Sequence, residues 1–161
     1  AAGLADLGIP TLAEVLTAVG RGPYLDVELK VDPGPVAVEV LAAGRGSGLA
    51  NAVVSSFTPA ALERVRRLAP TWPRWLNSDI LGPATVADAL TLGCRGVAVQ
   101  WRALDRRSVG LAQAAGLEVA SYTVRRRPTF ARLARLGIVA ACVEGGALDG
   151  EPTPGLRPTV S

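Results

Sequence analysis

The sequence predicts an α/β fold of the (β/α)8 TIM-barrel type, incomplete, with about six of the eight strands present. Three observations carry that expectation. Strand-like and helix-like segments alternate through most of the 161 residues, with short turns marked by glycine or proline; such alternation implies right-handed crossovers and a parallel sheet. An open doubly wound sheet is the competing architecture, but no Gly-x-Gly-x-x-Gly follows any strand, and Gly44-Arg45-Gly46-Ser47-Gly48 ends a helix instead. A whole barrel takes ~250 residues, so this chain holds roughly three-quarters of one.

The elements follow in order. Leu12, Val15, Leu16 and Val19 recur at helical spacing, and Thr11 with Glu14 forms a capping-box pattern. Tyr24 to Val31 alternates strictly, with Leu25, Val27, Leu29 and Val31 on one face and Asp26, Glu28 and Lys30 on the other, and reads as a strand. Pro33-Gly34-Pro35 is a turn, and Val36 to Leu49 a helix. Ala52 to Phe57 is a buried strand, and Thr58-Pro59 opens a helix with Thr58 as N-cap. A weaker strand at Arg74 to Leu76 and a helix from Ala84 to Leu92 come next. Gly96 to Gln100, Leu117 to Val124 and Ile138 to Val143 are the remaining strands, separated by helices at Asp105 to Ala115 and Thr129 to Leu136. Residues 1–149 are expected to form one partial barrel domain and 150–161 a tail.

Composition removes several function classes. At 49% hydrophobic and 19% charged the chain is no disordered segment, and no apolar run reaches the ~20 residues of a membrane span. With no His there is no Ser-His nucleophile pair and no imidazole metal site. A net charge of +3, without aromatic residues interleaved among the arginines, gives no case for nucleic acid. Cys94 and Cys142 lack Cys-x-x-Cys spacing and read as small buried residues or inert thiols. Few cysteines and no anchor make cytoplasm the default location. The absence of Met, with Ala1-Ala2-Gly3 at the start, suggests an interior piece or a processed product.

In a parallel barrel, polar residues near the C-terminal ends of strands build the active site. Asp26, Glu28 and Lys30 fit that position, although the solvated face of an edge strand would look the same. A carboxylate beside a lysine suits a divalent cation next to a phosphate. Ser55 and Ser56 end the next strand without a base and read as positioning or helix-entry hydroxyls. Trp72, Trp75 and Trp101 read as packing residues. Tyr122 and Thr123 close a strand just before Arg125-Arg126-Arg127, where a phosphate contact is plausible, and Glu144 ends the last strand before Gly145-Gly146.

Ile9-Pro10-Thr11-Leu12-Ala13-Glu14, Leu25-Asp26-Val27-Glu28-Leu29-Lys30 and Val54-Ser55-Ser56-Phe57 together resemble the glycerophosphodiester phosphodiesterase family. Ala115-Gly116-Leu117 before Ser121-Tyr122-Thr123-Val124, and Leu136-Gly137-Ile138 before the last strand, extend the resemblance over nearly the whole chain. It implies a metal-dependent barrel enzyme, active in lipid metabolism, that cleaves small-molecule glycerophosphodiesters to an alcohol and glycerol 3-phosphate. Under that resemblance Glu28 matches a metal ligand for Mg²⁺ or Ca²⁺, and Lys30 a phosphate contact. Tyr122 and Thr123 match the substrate mouth, with Arg125 beside them as a substrate-binding residue.

The sequence departs from the family pattern in three places. The two segments bearing the family's acid–base histidines and its Glu-x-Asp metal pair are missing, Arg125 stands where Asn is common, and Val143-Glu144-Gly145-Gly146 replaces Thr-Asp followed by Pro. The expectation is therefore a C-terminal fragment, inactive by itself and prone to self-association through unpaired strand edges. The alternative is a degenerate, non-catalytic member that holds anionic phosphate headgroups.

Overall fold

The computed structural model describes residues 7–149, so the tail expected at 150–161 lies outside the described residues. Helix α1 (Leu12–Val19) opens as the sequence predicts. The Thr11 hydroxyl accepts from the Glu14 N–H, and the Glu14 carboxylate accepts from the Thr11 N–H at 2.7 Å, so two of the helix's orphan donors are satisfied. There follow β1 (Leu25–Glu28), α2 (Gly34–Arg45), β2 (Ala52–Ser56), α3 (Pro59–Leu68), β3 (Arg74–Ser78) and α4 (Pro83–Thr91). Then come β4 (Gly96–Gln100), α5 (Arg106–Ala114), β5 (Glu118–Val124), α6 (Arg127–Arg135) and β6 (Ala140–Val143). The six strands lie side by side in chain order, every neighbouring pair parallel, and the sheet curls into a half-barrel with the helices between strands.

Alternation of side chains along the strands separates two faces. Outward, Val54, Leu76, Val97, Val99 and Val119 pack beneath the helices against residues such as Leu62, Val65, Ala89, Val109 and Leu133. Inward, Val53, Trp75, Ala98 and Ala120 form a separate cluster with Tyr122 and Ala140 alongside. Small residues on β4 and β5 leave room for the Trp75 indole, the large-against-small pattern a tapering barrel interior needs. Gly96 sets the β4–β5 spacing: a Cβ there would stand 2.5 Å from the Glu118 carbonyl oxygen.

The structure adjusts several sequence boundaries. β1 ends at Glu28 rather than Val31, because its pairing with β2 runs only from Leu25↔Ala52 to Glu28↔Ser55. The Leu29 N–H still reaches the Ser55 carbonyl, after which Asp32 turns the chain by accepting from the Gly34 N–H. β3 is longer than the weak strand expected, running to Ser78. Its buried polar residues hid it: the Arg74 guanidinium is spent on the carbonyls of Pro70, Trp72 and Gly93. Thr58 has extended cap geometry but makes no side-chain cap bond. The Ser56 hydroxyl takes over, accepting from the Thr58 N–H and donating to the Leu29 carbonyl, which is the helix-entry role read for this serine.

Candidate active site

Because all six strands run the same way, their C-terminal ends share one mouth. β1 brings Asp26 and Glu28 to its interior side, and Lys30 follows two residues on. The Lys30 ammonium meets a Glu28 carboxylate oxygen at 2.6 Å, with both side chains substantially solvated. So exposed a pair is worth about 0–1 kcal/mol and resists an incoming ligand very little. Beneath it, Asn77 on β3 donates to the Ser55 hydroxyl on β2, and Ser55 is hydrogen-bonded to Asp26. Loss of solvent around Asp26 raises its carboxyl above the ordinary value, against the Ser55 bond, and the neighbouring Glu28 charge adds to the rise.

Across the interior, Tyr122 rises from β5 where the β5–β6 register slips between Ser121 and Val124. A bulge of this kind re-aims side chains at a barrel rim. The phenol donates to the Ser78 carbonyl at 2.7 Å and to Asp79 at 3.3 Å, and the Phe57 ring meets it edge-on at 5.7 Å. Burial, then the Asp79 charge, push the phenol well above its ordinary pKa, and Glu28 contributes from across the barrel. The raised value keeps the phenol protonated, as a donor to Ser78 and Asp79. Thr123 is half-buried beside it. Arg125, at the end of β5, places both Nε and Nη2 within 3.1 Å of one Glu144 oxygen. The structure thus joins Glu28 to Lys30 and Arg125 to Glu144, at opposite edges of the sheet, with Tyr122 facing Glu28 between them. Asp79 and Asn77 were missed by sequence reasoning, because their partners lie 43 and 22 residues away and leave no local signal.

A divalent cation would need oxygen donors gathered at this mouth. Glu28 offers one, solvent-accessible and already beside a cation; among the described residues no group of three His, Cys, Asp or Glu is placed to hold a metal. Of the oxygen donors a cation would need, this mouth offers the Glu28 carboxylate, with Asp26 two residues before it on the same face of β1. At the opposite, N-terminal end a cleft of about 950 Å³ is lined by Tyr24, Trp75, Arg95 and Glu118 among others. Trp75 and Arg95 both bond Glu118 there, and in parallel barrels that end serves stability, not chemistry.

Comparison with known proteins now bears on this mouth. Residues 3–144 match the Glycerophosphoryl diester phosphodiesterase family. A comparison with curated proteins gives no match. Among solved structures, the chain resembles a phosphodiesterase from Oleispira antarctica in complex with the product sn-glycerol-3-phosphate. That match has 26% identity and a TM-score of 0.76, over 83% of this chain and 57% of that one. It also resembles glycerophosphodiester phosphodiesterases from Parabacteroides distasonis (18% identity, TM-score 0.70) and Thermotoga maritima (18%, 0.66). Each of these two matches covers 83% of this chain and 59% of the other, so the chain spans somewhat over half the length of the structures it resembles. With a family match over most of its length and a half-barrel that superposes on these enzymes, the chain belongs to the glycerophosphoryl diester phosphodiesterase family.

Proposed function

We propose that this chain supplies the phosphate-facing part of an enzyme that hydrolyses glycerophosphodiesters, with a divalent cation, to an alcohol and glycerol 3-phosphate. The observation that carries the reading is the Glu28–Lys30 pair at the C-terminal end of β1, on the interior side of a family barrel. The product held by the Oleispira antarctica relative supports glycerol 3-phosphate as the group recognised.

In this reading Glu28 is a ligand for Mg²⁺ or Ca²⁺, and the bound cation would supply charge stabilisation to the phosphoryl oxygens. Lys30 leaves Glu28 to meet a phosphate oxygen as a point charge. Tyr122, fixed by Ser78 and Asp79, and Thr123 wall the organic part of the substrate. Arg125 reaches an anionic group only after releasing Glu144, so its contribution is conditional on that exchange. The chain has no His, so the two acid–base histidines that the family resemblance implies are not among its residues.

Two assays test the proposal. The 161-residue chain alone, given glycerophosphodiester and Mg²⁺ or Ca²⁺, is expected to show no hydrolysis, since acid–base assistance is typically worth 10²–10⁴-fold. In a longer polypeptide in which the reading frame upstream of Ala1 supplies the family's two histidines, hydrolysis is expected, and Glu28→Ala should abolish it. Full activity in that variant would remove Glu28 from the metal site.

A further inference from the structure

The loops that follow the strands form a rim with two chemically distinct arcs. Over the adjacent strands β1, β2 and β3 they expose Val31 (70%), Phe57 (46%) and Ile80 (67%). Over β4 and β5 they expose Arg102 and Arg126 instead. The Arg102 guanidinium stands 4.5 Å from the Trp101 ring centre, and among the described residues neither arginine is in an ion pair.

One exposed aliphatic side chain needs no explanation, but three on neighbouring loops beside a cationic arc form an amphipathic surface. The charges at this end are mostly cancelled in pairs: Glu28 by Lys30, Asp32 by Arg64, Glu144 by Arg125. Asp79 bonds Tyr122, and Asp105 caps α5 next to Arg106 and Arg107. Among the described residues, Arg102, Arg106, Arg107 and Arg126 stand against four carboxylates without a salt bridge at this end, Asp26, Asp79, Asp105 and Asp149. The attraction for an anionic surface is therefore local to the β4–β5 arc, where Arg102 and Arg126 are exposed and in no ion pair.

We propose that this rim docks the mouth onto an anionic lipid surface. Val31, Phe57 and Ile80 enter the boundary between headgroups and acyl chains, and Arg102 and Arg126 lie against lipid phosphates. The inference goes beyond the hydrolytic reading and stands without it, because docking requires neither a metal nor a proton-transfer group.

The test is co-sedimentation of the chain with vesicles of phosphatidylcholine alone and of phosphatidylcholine mixed with phosphatidylglycerol. The expected result is partition onto the anionic vesicles, weakened by added salt. A basic side chain near such a surface changes affinity about fivefold, so Arg102→Ala with Arg126→Ala should weaken partition by about 25-fold. Ile80→Ser should weaken it about tenfold by removing apolar burial. All these positions are exposed, and circular dichroism checks that the variants fold. Leu68→Ser and Arg66→Ala, both on the last turn of α3 and the latter beside Gly93 at the other end of the barrel, should leave partition unchanged. Absence of partition, equal partition onto neutral vesicles, or equal weakening by the α3 variants would overturn the proposal.

Discussion

β2 is buried at all five positions from Ala52 to Ser56, whereas β1 alternates between half-buried and exposed residues and β6 has no buried position. β3 and β4 resemble β2, with four buried positions each. The helices over the middle strands contribute fully buried side chains such as Leu62, Val109 and Leu133. Glu28, Lys30, Arg125 and Glu144 instead sit at or beyond the ends of strands near the two edges. The buried core and the proposed ligand contacts Glu28, Lys30 and Arg125 thus come from different parts of the sheet. Residues that hold ligands must stay solvated and exchangeable, and those that hold the fold cannot.

The comparison breaks most readily at the core. Leu62→Ala removes a completely buried side chain beneath β2 and β3, and should cost about 2–5 kcal/mol in urea unfolding. Leu25→Ala on β1 removes a half-buried one and should cost less than half of that. Equal losses would show that the edge carries as much of the fold as the middle.

A smaller effect sharpens the same contrast at α1, the helix preceding the edge strand. Thr11→Ala removes the hydroxyl half of the cap, leaving the Thr11 backbone bond to Glu14, and should lower stability by about 1 kcal/mol. The pH dependence has a definite sign. Hydrogen bonds from the Thr11 backbone and hydroxyl hold the Glu14 carboxyl below its ordinary 4.5. Its contribution is present above about pH 4.5 and is lost as pH falls through the lowered folded value. Acid unfolding of the Thr11→Ala variant should therefore show a weaker stabilisation through that range than the wild type, and an unchanged profile would remove the cap from the account.

The chain's own pattern made the architecture legible. Glycine-punctuated alternation predicts the six parallel strands and five crossover helices observed, and the Thr11–Glu14 cap is a four-residue signal that needs no tertiary information. What was illegible depended on distant partners. β3 read as weak because Arg74 and Asn77 interrupt its apolar character, and only the fold supplies Arg74 with carbonyl partners from both sides of the strand. Trp75 read as packing and does pack, yet it faces the interior and donates to Glu118, 43 residues on. At the site, the sequence alternation groups Glu28 with Lys30, but the strand ends at Glu28 and the two meet because the long Lys30 side chain reaches back from the bend that follows β1. The hold of Glu144 on Arg125 and the tether of Tyr122 to Asp79 join residues from different loops, and no local spacing encodes them.

The central claim is that this chain presents its phosphate-facing surface at the C-terminal mouth, around Glu28 and Lys30. The most direct measurement is an NMR titration of the chain with glycerol 3-phosphate in the presence of Mg²⁺, following backbone amide shifts. The account predicts shifts concentrated at Glu28, Lys30, Phe57, Tyr122 and Thr123, reduced in Lys30→Ala. Shifts centred instead on Tyr24, Trp75, Arg95 and Glu118 at the opposite end, or shifts indifferent to Lys30→Ala, would contradict it.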